Sequence, residues 1–424
     1  SRKSERDEEA RLTFLKGFVT ALASSGVDRD LGLSLLLDFI RGTRAKASFF
    51  TLLNRETRVR DDLARLFSIS PYLGSLLASR PELIDEFIFR KQAQTSADLE
   101  ILLEELAERR LLVELIAANQ YLADLDLKNL STNLTRSADS ITQALLERLR
   151  EEYSAHGVSI VPMGKWGGGE LGLRSDLDFV FVTKEEPKPE DHKLARRFLA
   201  RITEAHRGGS IYAVDMRLRP SGNAGPILVS ESRLKSYLDG TAEDATAAAW
   251  ERQAYLRARP GKNLSFHPAE VAAQRGLSAT DLEELESIRS RLFFKEKVGE
   301  IDLKLTDGGL ADVEFTAQIA LLARKEFSID PSTSGMIQWL EGIDSSWKSL
   351  GAEVRERYEF IRKVEQLFQL TTSQSGSRIR VKSDEFKRLA LVMKVAPEDL
   401  ESQLRLNFAA LAKALNSVRS FARR

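Results

Sequence analysis

The stretch from Val158 to Thr183 limits what this chain can fold into more than any other. An apolar run, Val158 to Met163, enters a turn that holds Gly164, Lys165 and Gly167-Gly168-Gly169. A second apolar, β-branched run then follows Asp176-Leu-Asp178. Two such runs read as neighbouring strands joined by a glycine-dense turn. Residues two apart on a strand share a face, so Asp176 and Asp178 project their carboxylates side by side, roughly 7 Å apart at Cα. Glycines let backbone N–H groups approach an anion closely, and paired carboxylates suit divalent ions, so the pattern points to a metal and polyphosphate site. The turn is not a Walker A loop, because no Gly-Lys-[Ser/Thr] follows at the required spacing, and the Rossmann glycine spacing is missing as well.

A third carboxylate stands in Tyr212-Ala-Val-Asp-Met-Arg-Leu-Arg-Pro-Ser-Gly222. Asp215 interrupts a strand-like run, Ile211 to Leu218, and burying it costs free energy unless it is paired or metal-bound. If that strand lies beside 177–183, Asp215 completes a cluster able to hold two Mg²⁺ about 4 Å apart. Arg217 and Arg219 alternate on the same strand; they serve either phosphate oxygens or the carboxylates themselves. Ser221-Gly222 and Gly225 form either a second backbone cradle or a plain turn after Pro220. Trp250-Glu251-Arg252-Gln253 and Arg257-Ala-Arg259 read as a solvated polar helix and its exit. Asp312 and Glu314 lie about 200° apart around a helix, so at most one of them faces the site while the other meets solvent or a basic partner.

Around this centre the periodicity is helical. Leu12, Phe14, Leu15, Phe18, Val19 and Leu22 follow a 3–4 spacing that Gly26 ends. Ser70-Pro71 reads as a helix start, and so does Ser79-Arg80-Pro81-Glu82, with Leu83, Ile84, Phe87 and Ile88 as the buried stripe after it. Strands are expected at 158–163, 177–183 and 211–218, with a helix at about 190–207. Helices resume from Ser278 to Val298 and from about 310 to 325. The expected fold is α+β and mostly α, divided into a helical region over 1–155, a small mixed-sheet core over 156–275 and a helical bundle over 276–424.

Composition removes several function classes. Lys+Arg and Asp+Glu both number 63, so the net charge of zero gives no general reason to bind nucleic acid or an anionic membrane. With no cysteine there is no disulfide, thiolate zinc site or cysteine nucleophile, and the four histidines lack ligand spacing. The most apolar early run, Leu31 to Ile40, is too short to span a bilayer. The start is no signal peptide and has no initiator Met, so the chain reads as cytoplasmic and as a piece of a longer protein.

Taken together, these motifs resemble the nucleotidyltransferase core of DNA polymerase β relatives, and more specifically the glutamine synthetase adenylyltransferase/adenylyl-removing enzyme family. The matching pieces are Gly164 to Leu171 leading into Ser175-Asp-Leu-Asp178, Val214 to Gly222, Trp250 to Pro260 and Asp302 to Phe315. The helical prelude Ser68 to Asp85 is also similar, and the likeness covers roughly residues 45 to 325. It implies a polymerase β-like core, a small mixed sheet with helices, flanked by N- and C-terminal helical bundles. It implies ATP as substrate, two Mg²⁺ held by the catalytic carboxylates Asp176, Asp178 and Asp215, and nucleotide contacts from Gly164, Lys165, Gly167, Gly168, Ser175, Arg217, Arg219 and Lys304. The implied acceptor is a tyrosine of glutamine synthetase. Asp312 before Val-Glu-Phe makes the chain look like the attaching half rather than the phosphorolytic removing half. Alternatives are that removing half, or a non-catalytic helical module that binds glutamine synthetase or a PII-type signal protein. Trp166 replaces a usual aliphatic residue and Gly169 a longer polar one, which puts the shape of the glycine loop in question.

Overall fold

The computed structural model describes residues 2–42, 47–84, 96, 98–206, 209–261, 264–293, 297–373 and 375–422. It is mostly helical with small mixed sheets. The N-terminal region runs through helices Arg2–Ser25, Arg29–Gly42, Ala47–Arg55, Thr57–Ile69 and Pro71–Ser79, then two long ones, Leu99–Asp124 and Leu127–Tyr153. Aromatic rings hold the first four together: Phe14 contacts Phe18 and Phe50, while Phe67 contacts Phe18 and Phe39, all at 5.4–5.8 Å between centroids. Of the expected first stripe, Phe14, Phe18 and Leu22 are buried, but Leu12 and Val19 face outward. The helix therefore buries an i, i+4, i+8 ridge, narrower than the pattern suggested. Gly26 does end this helix. Ser70 caps the helix that Pro71 begins, accepting the Leu73 N–H at 3.1 Å. Ser79 behaves otherwise: its hydroxyl donates back to the Leu76 carbonyl, and Glu82 takes Arg80. Leu83 and Ile84 are buried as expected; Phe87 and Ile88 lie outside the described residues.

The sheet that carries the site is organised on β2 (Leu177–Thr183). β1 (Val158–Pro162) pairs with it antiparallel, from Val158 opposite Thr183 to Pro162 opposite Phe179. Along its other edge run two short parallel partners, β5 (Val214–Asp215) and β6 (Leu228–Ser230); the two-residue β3 (Ala205–His206) and β4 (Gly209–Ser210) pair with each other apart from it. Both faces of β2 are buried, so the run is apolar throughout rather than alternating. Phe179 and Phe181 pack edge-on against Trp166 and Phe198 on one side. Val180 and Val182 join Val161, Val229, Leu234 and Tyr255 on the other. Trp166 is thus a core residue, and its indole N–H donates to Asp139 at 2.8 Å. The strand expected over 211–218 shrinks to 214–215, and residues 216–225 form turns. Arg219 holds those turns by donating to the carbonyls of Met216 and Asn223. The helix expected at about 190–207 spans Pro189–Thr203.

The C-terminal helices are Ala279–Leu292, Leu310–Arg324, Thr333–Ile343, Ser345–Thr371, Asp384–Val392 and Pro397–Ala422. The first stops short of the expected Val298. A strand pair, β7 (Glu300–Asp302) with β8 (Arg378–Arg380), ties the start of this region to its later part. Asp312 locks the last helix in place. It is buried, its carboxylate accepts the Gly308 N–H at 2.9 Å and pairs with Arg289 at 2.7 Å and with Arg419. Gly308 has φ +75°, and a Cβ there would collide with the Phe408 carbonyl, so only glycine fits this approach. Asp312 is therefore the one of the pair turned away to basic partners, one of the two outcomes the helical spacing allowed. Among the described residues no helix is long and apolar enough to cross a membrane.

Removing the Asp312 carboxylate strands two guanidinium groups and one N–H. Asp312→Ala should destabilise the fold by about 3–5 kcal/mol, read as a lowered urea midpoint.

Candidate active site

The glycine turn closes directly onto the second aspartate. The Met163 N–H donates to the Asp178 carbonyl at 2.8 Å. Gly164 follows with φ +53°, and a Cβ there would overlap the Asp178 carboxylate. The parallel register then sets Asp178 opposite Asp215, one strand spacing away, about 4.8 Å. Asp176 sits exposed just before the strand begins. Burial first, and then repulsion from Asp176 and Asp215, raises the Asp178 carboxyl to about 6, although Arg257 and Lys304 pull it down. Asp215 goes the other way. The Arg217 guanidinium grips both its oxygens, with Nε at 3.0 and 2.8 Å, and holds it below the usual carboxylate range.

Asp176, Asp178 and Ser175 line a cavity of about 560 Å³. Its other walls are helix Ala249–Tyr255, Lys304, helix Leu310–Arg324 and the end of Ser345–Thr371. Four cations line it, and three are committed. Lys165 pairs with Glu365 at 3.0 Å; its burial lowers the ammonium's pKa. Arg257 pairs with Glu170 and, at 3.3 Å, with Glu314. Arg174 stacks on Tyr72 and donates to the Ser373 carbonyl at 2.9 Å. Lys304 alone among these four has no partner for its side chain, whether ion pair, hydrogen bond or ring, among the described residues. Burial would raise the buried Glu365 carboxylate, yet Lys165 and Arg362 hold it down at about 2. Glu314 is likewise lowered by Arg257 and Lys165 against the cost of its burial.

Several expected contacts are displaced. Gly167 packs against the Arg257 carbonyl, and a Cβ on Gly168 would come within 2.6 Å of the Arg257 guanidinium. These two glycines serve close packing. Gly168, with Gly169 and Glu170, lines a separate cavity on the far side of the loop. Arg217 points outward and Arg219 is spent on its own turn. The polar helix is not solvated: Glu251, Arg252, Gln253 and Arg257 are all nearly fully buried. Arg252 reaches the Gly276 carbonyl at 2.5 Å, and Glu251 accepts the Tyr237 hydroxyl at 2.8 Å. Glu314 lines the cavity as the helical spacing allowed. Glu365, Gln366 and Gln369 line it too and went unread in the sequence. Their i, i+1, i+4 polar spacing within the otherwise apolar run Val364 to Leu370 was the available signal. Among the described residues no group of three or more His, Cys, Asp or Glu side chains is arranged to enclose a metal; Asp215 is turned onto Arg217.

Comparison with known proteins gives the site its context. A family model described as glutamate-ammonia ligase adenylyltransferase matches residues 109–264, the stretch with the glycine turn and all three aspartates. One described as GlnD PII-uridylyltransferase matches residues 279–424, which supply Lys304, Glu314 and Glu365. The chain is 28% identical to the bifunctional glutamine synthetase adenylyltransferase/adenylyl-removing enzyme of Idiomarina loihiensis, over 68% of this chain and 36% of that protein. It is 29% identical to the enzyme of the same description from Neisseria meningitidis serogroup A, over 82% of this chain and 42% of the relative. For the one from Shewanella loihica the figures are 32% identity, 66% and 35%. The chain thus spans little more than a third of the length of most of these relatives.

The raised Asp178 carboxyl makes stability pH-dependent. Its folded pKa, about 6, lies above the ordinary aspartate value, so the folded protein binds the proton more tightly than the unfolded chain. The resulting stabilisation is complete below the ordinary value and is lost as pH rises through about 6. Without added metal, Asp178→Asn should match the parent near pH ~4 and exceed it near neutral pH by about 1–3 kcal/mol. Melting curves of the two proteins at both pH values check this.

Proposed function

Since the chain belongs over most of its length to the glutamine synthetase adenylyltransferase/adenylyl-removing enzyme family, we propose that it is one nucleotidyltransferase half of such an enzyme. It moves AMP from ATP to a tyrosine hydroxyl of glutamine synthetase. In this reading the sheet around β2, within residues 156–275, is a polymerase β-like core, and the flanking helical regions 1–155 and 276–424 hold and roof it. The observation that carries the reading is the convergence of Asp176, Asp178 and Asp215 beside one cavity that also holds an uncommitted lysine.

The donor chemistry fits magnesium. Three aspartates stand at one end of β2, two of them lining the cavity and the third turned onto Arg217, and Asp178 is raised first by burial and then by its two acidic neighbours. Asp176 and Asp178 would hold the ions, and Asp215 joins once its ion pair with Arg217 opens. When bound, they supply neutralisation of phosphate charge and a lower pKa for the attacking hydroxyl. The protein's own residues do the rest. Gly164 keeps the turn tight against Asp178, so the α-phosphate meets backbone rather than a side chain. Lys304 neutralises the departing pyrophosphate, a role expected of Lys165, which Glu365 already holds. Arg217, freed from Asp215, has the exposure and reach to meet a phosphate or the incoming protein. Glu314, clamped by Arg257, and the glutamines beyond it wall off water.

Asp176→Asn and Asp178→Asn should each lower AMP transfer from ATP to glutamine synthetase by about a thousandfold, roughly 4 kcal/mol of transition-state stabilisation. Parent-like rates would sink the assignment. Supplying adenylylated glutamine synthetase with phosphate and measuring ADP tests the opposite direction on the same protein; ADP formed faster than AMP is transferred would assign it to the removing half. Lys304→Ala should cost about tenfold to a hundredfold in transfer, and more than Lys165→Gln costs in ATP affinity.

A further inference from the structure

The lining of the cavity is of two chemical kinds. Asp176, Asp178 and Lys304 are ionic. Leu218, Trp250, Ile288 and Phe315 are apolar, and Gln253 and Gln318 line the cavity with them. The two glutamines are nearly fully buried, 3% and 7% exposed. They bond to each other, the Gln253 amide N–H donating to the Gln318 carbonyl at 2.9 Å. That leaves the Gln253 carbonyl oxygen buried with no partner among the described residues. A buried acceptor without a donor costs free energy in the ligand-free protein, and a bound donor relieves it. Trp250, Gln253 and Arg257 fall at i, i+3 and i+7 along one side of the chain, and Phe315 and Gln318 at i and i+3 on the facing helix. Flat aromatic and aliphatic walls around an amide pair are the chemistry that holds a heteroaromatic ring, and a glutamine amide pairs with the amino donor and ring-nitrogen acceptor of adenine.

The geometry points to this apolar and amide lining as the nucleobase subsite, with Gln253 accepting the adenine amino group and Gln318 donating to the neighbouring ring nitrogen. The inference rests on the reading that ATP binds this cavity, and adds which residues select its base. Base choice is a real question here, because residues 279–424, which contribute Phe315 and Gln318, match a uridylyltransferase family model.

The test is calorimetric titration, with magnesium and no acceptor protein, of ATP, purine riboside triphosphate (which lacks the amino group), UTP and tripolyphosphate. The parent protein should bind ATP about tenfold more tightly than either base analogue, and more tightly than tripolyphosphate. Gln253→Met should lose that preference while binding tripolyphosphate as the parent does, and Gln318→Met should do the same in case the first variant folds poorly. Equal binding of ATP and purine riboside triphosphate by the parent, or parent-like ATP binding by both variants, overturns the subsite and leaves the transfer reading standing. UTP bound as tightly as ATP overturns adenine selection. If neither ATP nor tripolyphosphate binds the parent, the transfer reading fails and this inference fails with it.

Discussion

Six charges, of which Arg257, Arg362 and Glu365 are nearly fully buried, hold the site together. Lys165, Arg257 and Arg362 face Glu170, Glu314 and Glu365, and the six come from four parts of the chain. Lys165 and Glu170 stand on the glycine turn, Arg257 just past the helix Ala249–Tyr255, Glu314 near the start of Leu310–Arg324, and Arg362 and Glu365 on Ser345–Thr371. Arg362 also donates to the Glu170 carbonyl at 2.8 Å, and Tyr358 bonds to Glu314 at 3.0 Å. Buried pairs of this kind repay their desolvation only when every member is satisfied, so they add little net stability but define one arrangement sharply. Three cations against three carboxylates balance. What remains without an ion-pair partner at the cavity, among the described residues, is Lys304 and the carbonyl-held Arg174 on one hand and Asp176 with Asp178 on the other. A site that must accept a charged ligand needs charges left over after its scaffold is neutral, and here those are the ones left.

The glycine turn takes its shape from this network. Lys165 with Glu365 and Gln366 with the Leu173 N–H, at 2.7 Å, fasten both ends of the turn to one helix. Gly168 and Gly172 are where the Arg257 and Gln366 side chains press against the backbone, and Gly167 is where the Arg257 and Pro162 carbonyls do. The glycine cluster therefore serves proximity between protein parts, with only Gly164 and its neighbour lining the cavity. A phosphate loop and a tightly packed turn demand the same residue, which is why the sequence pattern could not tell them apart.

The same limit explains which readings of the sequence held. Strand 177–183 was legible because burial on both faces makes the run uniformly apolar, and helix 310–324 because its apolar spacing is strong and its glycines mark the start. Asp176, Asp178 and Asp215 could be grouped because a parallel register puts the carboxylates of neighbouring strands side by side. The run 211–218 alternates like a strand, yet Pro220 and the turns anchored by Arg219 take the chain out of the sheet after Asp215. The helix at Trp250 carries adjacent charged residues, which in local terms means solvent. Their partners, Tyr237, Gly276 and Glu170, come from elsewhere in the chain. Glu365 lies 200 residues from Lys165, and no local periodicity encodes a pairing across that separation.

Asp178 and Asp215 are direct cross-strand neighbours with opposite electrostatics, and the asymmetry has a structural origin. Asp178 is pinned beneath Gly164 and between two other acids, so its charge is poorly solvated and nothing in the protein relieves it fully. Asp215 lies at the frayed end of a two-residue strand, where the chain can turn and bring Arg217 back over it. A longer β5 would have extended the ladder past Asp215 and held Arg217 one pleat further along the same face, without the turn that brings its guanidinium back onto both carboxylate oxygens. The short strand thus gives the ligand-free protein an internal cation at the more accessible acid while leaving the buried one unpaired. In the proposed metal site a cation would displace no protein partner at Asp178 among the described residues but would compete with Arg217 for Asp215, a difference that follows from where β5 ends.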